Sequence, residues 1–250
     1  MTIQTIWQEY TSVRSADTDF LQRWKISGFF AAMVEAAARH ADHLGFGFQA
    51  MMKADCIWVL ARLKIRIFDF PQISDRVAIQ TWPKGLQQKL FFMRDYHVLG
   101  EDGKKYASAT SAYVLISPRS RRMLLPQALN GNIPDNGGLS ALDEPLEKIP
   151  AAGPLEEQFT VQAGYSAVDL MGHVNNARYI DWASDCFTFE EHRAHSLRWL
   201  QVNYLNEIKP GEQVTLYKGA YPGRPGAWYI SGQNLNTGQK AFEMALGWEA

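Results

Sequence analysis

Around residue 170 the chain reads Asp169-Leu170-Met171-Gly172-His173-Val174-Asn175-Asn176, and Glu207 stands 34 residues past the histidine (207 − 173) in YLNEIKPGE. An imidazole titrates near neutrality, and a neighbouring carboxylate can fix its tautomer and raise its basicity. Such a set suits water-mediated acyl transfer. A helix starting just after His173 would aim free backbone N–H groups and its positive dipole end at the loop. Gly172 would let a substrate approach that backbone closely. The oxyanion formed when an ester or thioester carbonyl is attacked would be stabilised there. The same residues also read as plain helix capping, because Asp and Asn before a helix are common caps and Gly is common in turns.

A comparison within the chain favours the chemical reading. Six of the 11 prolines lie between Pro118 and Pro154, with Gly131, Gly137, Gly138 and Gly153 among them. Proline and glycine at that density do not sit inside regular elements, so this stretch is expected to be a linker running over the surface. On each side the order is strand, helix, several strands. In the first half IWQEYTSVR alternates, Phe30, Met33, Val34, Ala37, Ala41 and Leu44 recur at helical spacing, and four β-rich segments follow up to Ile116. The second half repeats this with QFTVQAGY, a helix expected near 175–192, and four β-rich segments up to Trp248. The halves register on each other. Leu63, Ile65, Asp75 and Val77 fall on Leu200, Val202, Glu212 and Val214 at an offset of 137 (200 − 63), and Asp19 falls on Asp169 at an offset of 150 (169 − 19). The difference of 13 fits an insertion at GFGFQAMMKADCI (45–57). Long antiparallel strands around one apolar helix describe an α+β architecture in which a sheet wraps the helix.

If the halves are copies, their differences locate the site. The first half keeps Asp19 but has Arg23 where the second has His173, and Phe70 where the second has Glu207. Only the second half holds two carboxylates and an imidazole together, which implies one active site per chain. Composition narrows the function classes. With 250 residues, 46% of them hydrophobic, the chain can bury a core without disulfides or metal. A net charge of −1 argues against nucleic-acid binding, and nothing reaches the apolar length of a membrane span. Cys56 and Cys186 cannot build a disulfide framework and read as small buried apolar residues. The polar opening MTIQTIWQEYTSVR lacks a signal-peptide core, which points to a reducing cytoplasm. His40 with His43, and His192 with His195, are three apart on helices but lack further ligands, so neither a metal nor a cofactor is expected.

At this point the sequence resembles a known family. HVNNARYIDW, with an aspartate four residues before its histidine, is similar to the acyl-carrier-protein thioesterases of plant plastids and their bacterial relatives, a double hotdog fold. IWVLARLKIRIFDFPQISDRVAIQTW (57–82) resembles the family's signature in its first hotdog, and SPRSRRMLLP (117–126) resembles the segment that closes it. Glu207 stands at the spacing of the family's glutamate. The resemblance implies two tandem hotdog domains, each an antiparallel sheet around a central helix. An N-terminal one (1–117) would bind the acyl chain, a Pro/Gly-rich linker would cover 118–156, and a catalytic one would cover 157–250.

The implied activity is hydrolysis of fatty acyl-carrier-protein thioesters. Asp169, His173 and Glu207 form the implied catalytic set, with Gly172, Asn175 and Asn176 beside it as candidate substrate-binding residues. The family motif has an asparagine two residues before the histidine; Met171 stands there instead, as apolar residues do in a broader group of hotdog thioesterases acting on coenzyme A. Position 208, a cysteine in many plant members, is Ile208. Phe30, Met33 and Trp58 are candidate pocket residues by position, although ordinary core packing explains them as well. Arg119, Arg121 and Arg122 form a candidate docking patch for an acidic carrier protein with its phosphopantetheine-linked chain. The expected molecule is a monomeric pseudo-dimer or a homodimer. A coenzyme A thioesterase, a hotdog hydratase or dehydratase, and an acyl-binding protein stand as alternatives.

Overall fold

The computed structural model describes residues 3–249. It divides into two compact units, Met1–Trp24 with Ala31–Leu146 and Lys25–Phe30 with Glu147–Ala250. The elements of the N-terminal half are β1 (Trp7–Ser12), α1 (Ile26–His43), α2 (Phe48–Lys53), β2 (Ile57–Ile67), β3 (Arg76–Gln87), β4 (Phe91–Gly100), β5 (Lys105–Ile116) and β6 (Met123–Leu124). Their strands lie side by side as β1-β3-β4-β5-β2, all antiparallel, with β6 against β5. The helix starts four residues before the periodic run that signals it, and buries Phe29, Phe30, Met33, Ala36 and Ala37 on one face. The residues between α1 and β2, where the insertion was inferred, contain α2.

One buried polar chain fixes α1 against the sheet. Arg94 can only donate and the Gln4 carbonyl can only accept. His40 therefore accepts from Arg94 Nη1 at Nδ1 (3.0 Å) and donates from Nε2 to Gln4 (2.9 Å). The ring is neutral, and burial lowers its pKa to about 4. His97 in β4, hydrogen-bonded to Ser108 (3.0 Å) and edge-on to Trp82, is also lowered to about 4, mainly by burial.

The C-terminal half comprises β7 (Glu156–Gln162), α3 (Asn176–Ser184), α4 (Phe189–Ala194), β8 (Ser196–Tyr204), β9 (Gln213–Ala220), β10 (Ala227–Asn234) and β11 (Lys240–Glu249). Its order, β7-β9-β10-β11-β8, repeats that of the first half. The single helix expected over 175–192 is instead two. Thr188 opens α4 with a capping box: its hydroxyl accepts the Glu191 N–H (3.1 Å) while Glu191 accepts the Thr188 N–H (2.7 Å). A threonine followed three residues later by glutamate is a start signal, and it outweighs the apolar period running through it.

The two offsets recur in the backbone hydrogen bonds. Asp19 N–H bonds to Arg23 O at 2.8 Å, and Asp169 N–H to His173 O at 2.9 Å. Trp24 N–H reaches Pro71 O, and Val174 N–H reaches Ile208 O, both at 2.9 Å. The strand register slips past Ala61 in β2 and past Arg198 in β8, again 137 apart (198 − 61). A duplicated topology thus rests on repeated geometry rather than on shared side chains.

The proline-rich segment is pinned rather than loose. In the first unit Leu142 and Leu146 are buried, Arg62 donates to Leu146 O (3.1 Å), and Ala141 N–H donates to the fully buried Asp95 carboxylate (2.7 Å). Lys84 and Thr110 complete the Asp95 site at 3.0 and 2.6 Å. In the second unit Ile149 packs with Trp199, Tyr229 and Ala245. Among the described residues no helix is long and apolar enough to cross a membrane.

The histidines set a pH dependence. His40 and His97 stay neutral in the fold down to about pH 4 but charge in the unfolded chain near 6.5. The unfolded state therefore binds the extra protons, and stability falls as pH drops from 6.5 towards 4. Thermal unfolding followed across that range should show a declining midpoint, with a shallower decline in His97→Gln. An identical slope in the variant would exclude His97 as a contributor.

Candidate functional site

The site is assembled from two segments of the second unit. One is the turn at 168–176 that leads into α3. Its backbone is closed by the Asp169 N–H to His173 O bond and by Gly172 N–H to Asp169 O (3.0 Å), with Val168 and Val174 bridged across it. Asp169 Oδ1 accepts the Met171 N–H at 2.8 Å, which tightens the turn. Gly172 has φ +77°, a left-handed conformation that suits glycine, and the space where its Cβ would stand is open. Asn175 caps α3: its side-chain oxygen accepts the Ala177 N–H (2.9 Å) and its carbonyl accepts the Arg178 N–H (2.9 Å).

The second segment follows β8. Leu205 and Asn206 donate their N–H groups to Ala241 O at 2.9 and 3.0 Å, and Ile208 O accepts the Val174 N–H. Glu207 lies between these anchors. Its Oε2 stands 3.0 Å from His173 Nε2, with the two side chains 35% and 27% exposed, so water can reach the pair. An ionised carboxylate only accepts, so a neutral His173 carries its proton on Nε2 and its lone pair on Nδ1.

The sequence-predicted residues separate into distinct groups. His173 and Glu207 meet directly. Asp169 shares the turn with His173, and its carboxylate accepts a backbone N–H, as Asp19 Oδ1 accepts the Leu21 N–H (2.8 Å) in the first half. Gly172, Asn175 and Asn176 lie in the same turn and helix start. Met171 is 37% exposed, and Ile208 is fully buried. In the first unit Trp58 donates to Phe46 O (3.0 Å) and packs edge-on to Phe92, within a cluster around Phe46, Met51, Cys56 and Leu115. Phe30 and Met33 are fully buried. Arg119, Arg121 and Arg122 are exposed, Arg119 with Asp55 at 3.6 Å. Cys56 and Cys186 are buried, and burial pushes the Cys186 thiol up to about 12. No group of three or more His, Cys, Asp or Glu side chains that could hold a metal occurs among the described residues.

Two residues beside the site escaped the sequence reading. Tyr179 and Tyr204 touch edge to face at 5.3 Å beneath the turn, and Tyr204 Oη donates to Asn176 O at 3.0 Å. The duplication offered a signal for both, since the matched positions are Phe29 and Ile67.

Comparison with known proteins agrees with this architecture. The model for the acyl-ACP thioesterase N-terminal domain matches residues 4–126, and that for the acyl-ACP thioesterase C-terminal domain matches residues 151–246. Oleoyl-acyl carrier protein thioesterase 2 of Arabidopsis thaliana is 27% identical over 232 residues, covering 83% of this chain and 61% of its own length. Palmitoyl-acyl carrier protein thioesterase of Gossypium hirsutum is 27% identical over 222 residues, covering 81% of this chain and 52% of its own. The chain thus spans little more than half of these relatives. The crystal structure of an acyl-ACP thioesterase from Bacteroides thetaiotaomicron superposes with a TM-score of 0.85 at 23% identity, over 98% of both chains. The 12:0-ACP thioesterase of Umbellularia californica gives 0.76 at 19% identity, again over 98% of both. These likenesses establish the fold as α+β with hotdog domains. Both halves are matched by models of one family, and the chain belongs to the acyl-ACP thioesterase family.

Proposed function

We propose that this chain hydrolyses fatty acyl-carrier-protein thioesters in the cytoplasm, with His173 and Glu207 activating the water. The observation that carries the reading is the 3.0 Å contact between His173 Nε2 and Glu207 Oε2 at the mouth of an N-capped helix, in a member of this family. Glu207 holds the imidazole in one tautomer, and the pair takes a proton from water as its oxygen attacks the thioester carbonyl. The C–S bond breaks, the thiolate is protonated, and free fatty acid and carrier thiol leave. Two first-turn N–H groups of α3, those of Ala177 and Arg178, already bond to Asn175. The Asn176 N–H is therefore the donor at the positive helix end that suits the oxyanion.

Asp169 acts through the turn in this reading. The same aspartate-to-backbone bond is present at Asp19, in the half that lacks the histidine and glutamate, which supports a positioning role for it. The first hotdog then serves as the acyl-chain half, and the exposed arginines 119, 121 and 122 offer an acidic carrier a landing patch.

Thiol release from a panel of acyl-carrier-protein and coenzyme A thioesters tests the reading. Faster release from carrier thioesters is expected. Preference for coenzyme A would move the chain to the wider hotdog group, and enoyl conversion without free thiol would make it a hydratase. A bound thioester surviving overnight would make it an acyl-binding protein. His173→Ala and Glu207→Gln should each lower kcat on the order of 10²-fold or more, the scale of a lost general base. Unchanged turnover in either variant would remove that residue from the mechanism. Met171→Asn should retain activity, because the Met171 contribution to the turn is its backbone N–H; complete loss would show that the side chain itself is required.

A further inference from the structure

The buried polar groups of the first half take no part in the proposed chemistry, and one of them is a cation. Arg94 projects from β4 to α1 and is 9% exposed. Its Nη1 donates to His40 Nδ1 at 3.0 Å and to Thr81 Oγ1 at 3.3 Å. Nε and Nη2 carry three of the five N–H donors, and neither has a hydrogen-bond partner among the described residues. Nor does any carboxylate among them pair with this guanidinium. The adjacent Asp95 lies on the opposite face of the strand, where Lys84, Thr110 and the Ala141 N–H hold it. The ionisable neighbours are neutral: burial lowers His40 and raises the phenols of Tyr96 and Tyr113. An arginine stays protonated, so a full positive charge stands inside with no counter-charge and with donors to spare. An anionic ligand would supply both needs at once.

The fold does not demand this charge. Where the first half has Arg94, Tyr96 and Ser111, strand register places Trp228, Ile230 and Leu246 in the second. Holding α1 needs only one donor for His40 Nδ1, which a neutral amide would provide. We propose that Arg94 binds a carboxylate at the far end of the acyl chain, which makes half-thioesters of dicarboxylic acids the preferred substrate class. This deepens the proposed hydrolysis and rests on its assignment of the acyl chain to the first half. Nε and Nη2 form one planar edge of the guanidinium, the fork that takes a carboxylate through two parallel hydrogen bonds. The surroundings suit a chain with an apolar body and a polar end. Tyr96 Oη bonds to Ser111 Oγ and Tyr113 Oη at 3.1 and 3.2 Å, so hydroxyls line the sheet beside the cation. Met33, Ala36 and Ala37 lie on the face of α1 that carries His40, an apolar surface with small residues for methylenes to follow.

Pairs of pantetheine thioesters with equal carbon number, one acyl chain ending in methyl and the other in carboxylate, test this at several lengths. The carboxylate end should be favoured in kcat/KM roughly 10- to 100-fold, the scale of a charge-assisted hydrogen bond. Amide-linked analogues of the same pairs, titrated calorimetrically, should show the same order in Kd without turnover. In Arg94→Gln, whose amide can still donate to His40, the preference should disappear. Arg94→Met takes its place if the unfolding midpoint shows that the first variant does not fold, and if neither folds the Kd order of the unmodified chain decides. A merely structural Arg94 would weaken both chain ends alike, so an unaltered ratio in a folded variant would overturn the proposal. Equal binding of the two ends by the unmodified chain, or tighter binding of the methyl end, would overturn it as well. If no thioester released thiol while the amides kept the carboxylate preference, the hydrolysis reading would fail and the Arg94 site would stand.

Discussion

The bond from Val174 N–H to Ile208 O is the constraint on which the site depends. Val174 and Ile208 are 34 residues apart in the chain, and each is adjacent to the residue that matters chemically: Val174 follows His173 and Ile208 follows Glu207. One backbone bond therefore brings an imidazole and a carboxylate into register before any side-chain interaction is formed. A side-chain ion pair between partly exposed groups is worth little on its own, about 0–1 kcal/mol. It cannot gather two irregular segments, so the backbone must do so first, and the 3.0 Å contact is a consequence of that arrangement.

The duplicated half shows that this frame is separable from the chemistry. Trp24 N–H to Pro71 O repeats the bond, and Asp19 repeats the turn, yet the side chains delivered are an arginine and a phenylalanine. The turn needs a carboxylate to accept its backbone N–H and a residue that tolerates positive φ, met by Gln22 at 63° in one half and Gly172 at 77° in the other. Neither requirement specifies a reaction. Glycine in the second half adds open space beside the backbone, where a side chain would stand in the first.

Much of this was legible in the sequence because the duplication supplied an internal reference. The offsets of 150 and 137 predicted which residues would be structurally equivalent, and they recur in hydrogen bonds between residues with no side chain in common, such as Gly211 and Ser74, which bond to Ala163 and Val13. What stayed hidden has physical reasons. The break between α3 and α4 was masked because the apolar period continues across Thr188, whereas the capping box is a local signal of only four residues. The burial of Leu142, Leu146 and Ile149 was hidden because their i, i+4, i+7 spacing runs through Pro145 and forms no helix, so the period does not correspond to a regular element. Tyr204 carries no signal of its own in the sequence, since an aromatic ring packs whether or not its hydroxyl is used, as it is here on Asn176 O.

The polar groups of the first half complicate the idea that it simply lost function. On the sheet positions facing α1 it carries Arg94, Tyr96, Ser111 and Tyr113, where register places Trp228, Ile230, Leu246 and Trp248 in the second half. Tyr96 bonds to Ser111 and Tyr113 at 3.1 and 3.2 Å, and Arg94 reaches His40 and Thr81. Burying a guanidinium among neutral groups is costly unless its donors are met, and here an imidazole and a hydroxyl meet two of those contacts. At these positions the two halves differ in where their polar groups stand. At those four positions the second half is apolar, and its imidazole and carboxylate stand at the solvent-reachable turn, whereas the first half carries Arg94 and two tyrosines there, and Arg94 bonds α1 through His40. With Arg23 and Phe70 at its turn, the first half has no imidazole–carboxylate pair to keep within reach of water, and its buried hydrogen-bonded network holds α1 to the sheet.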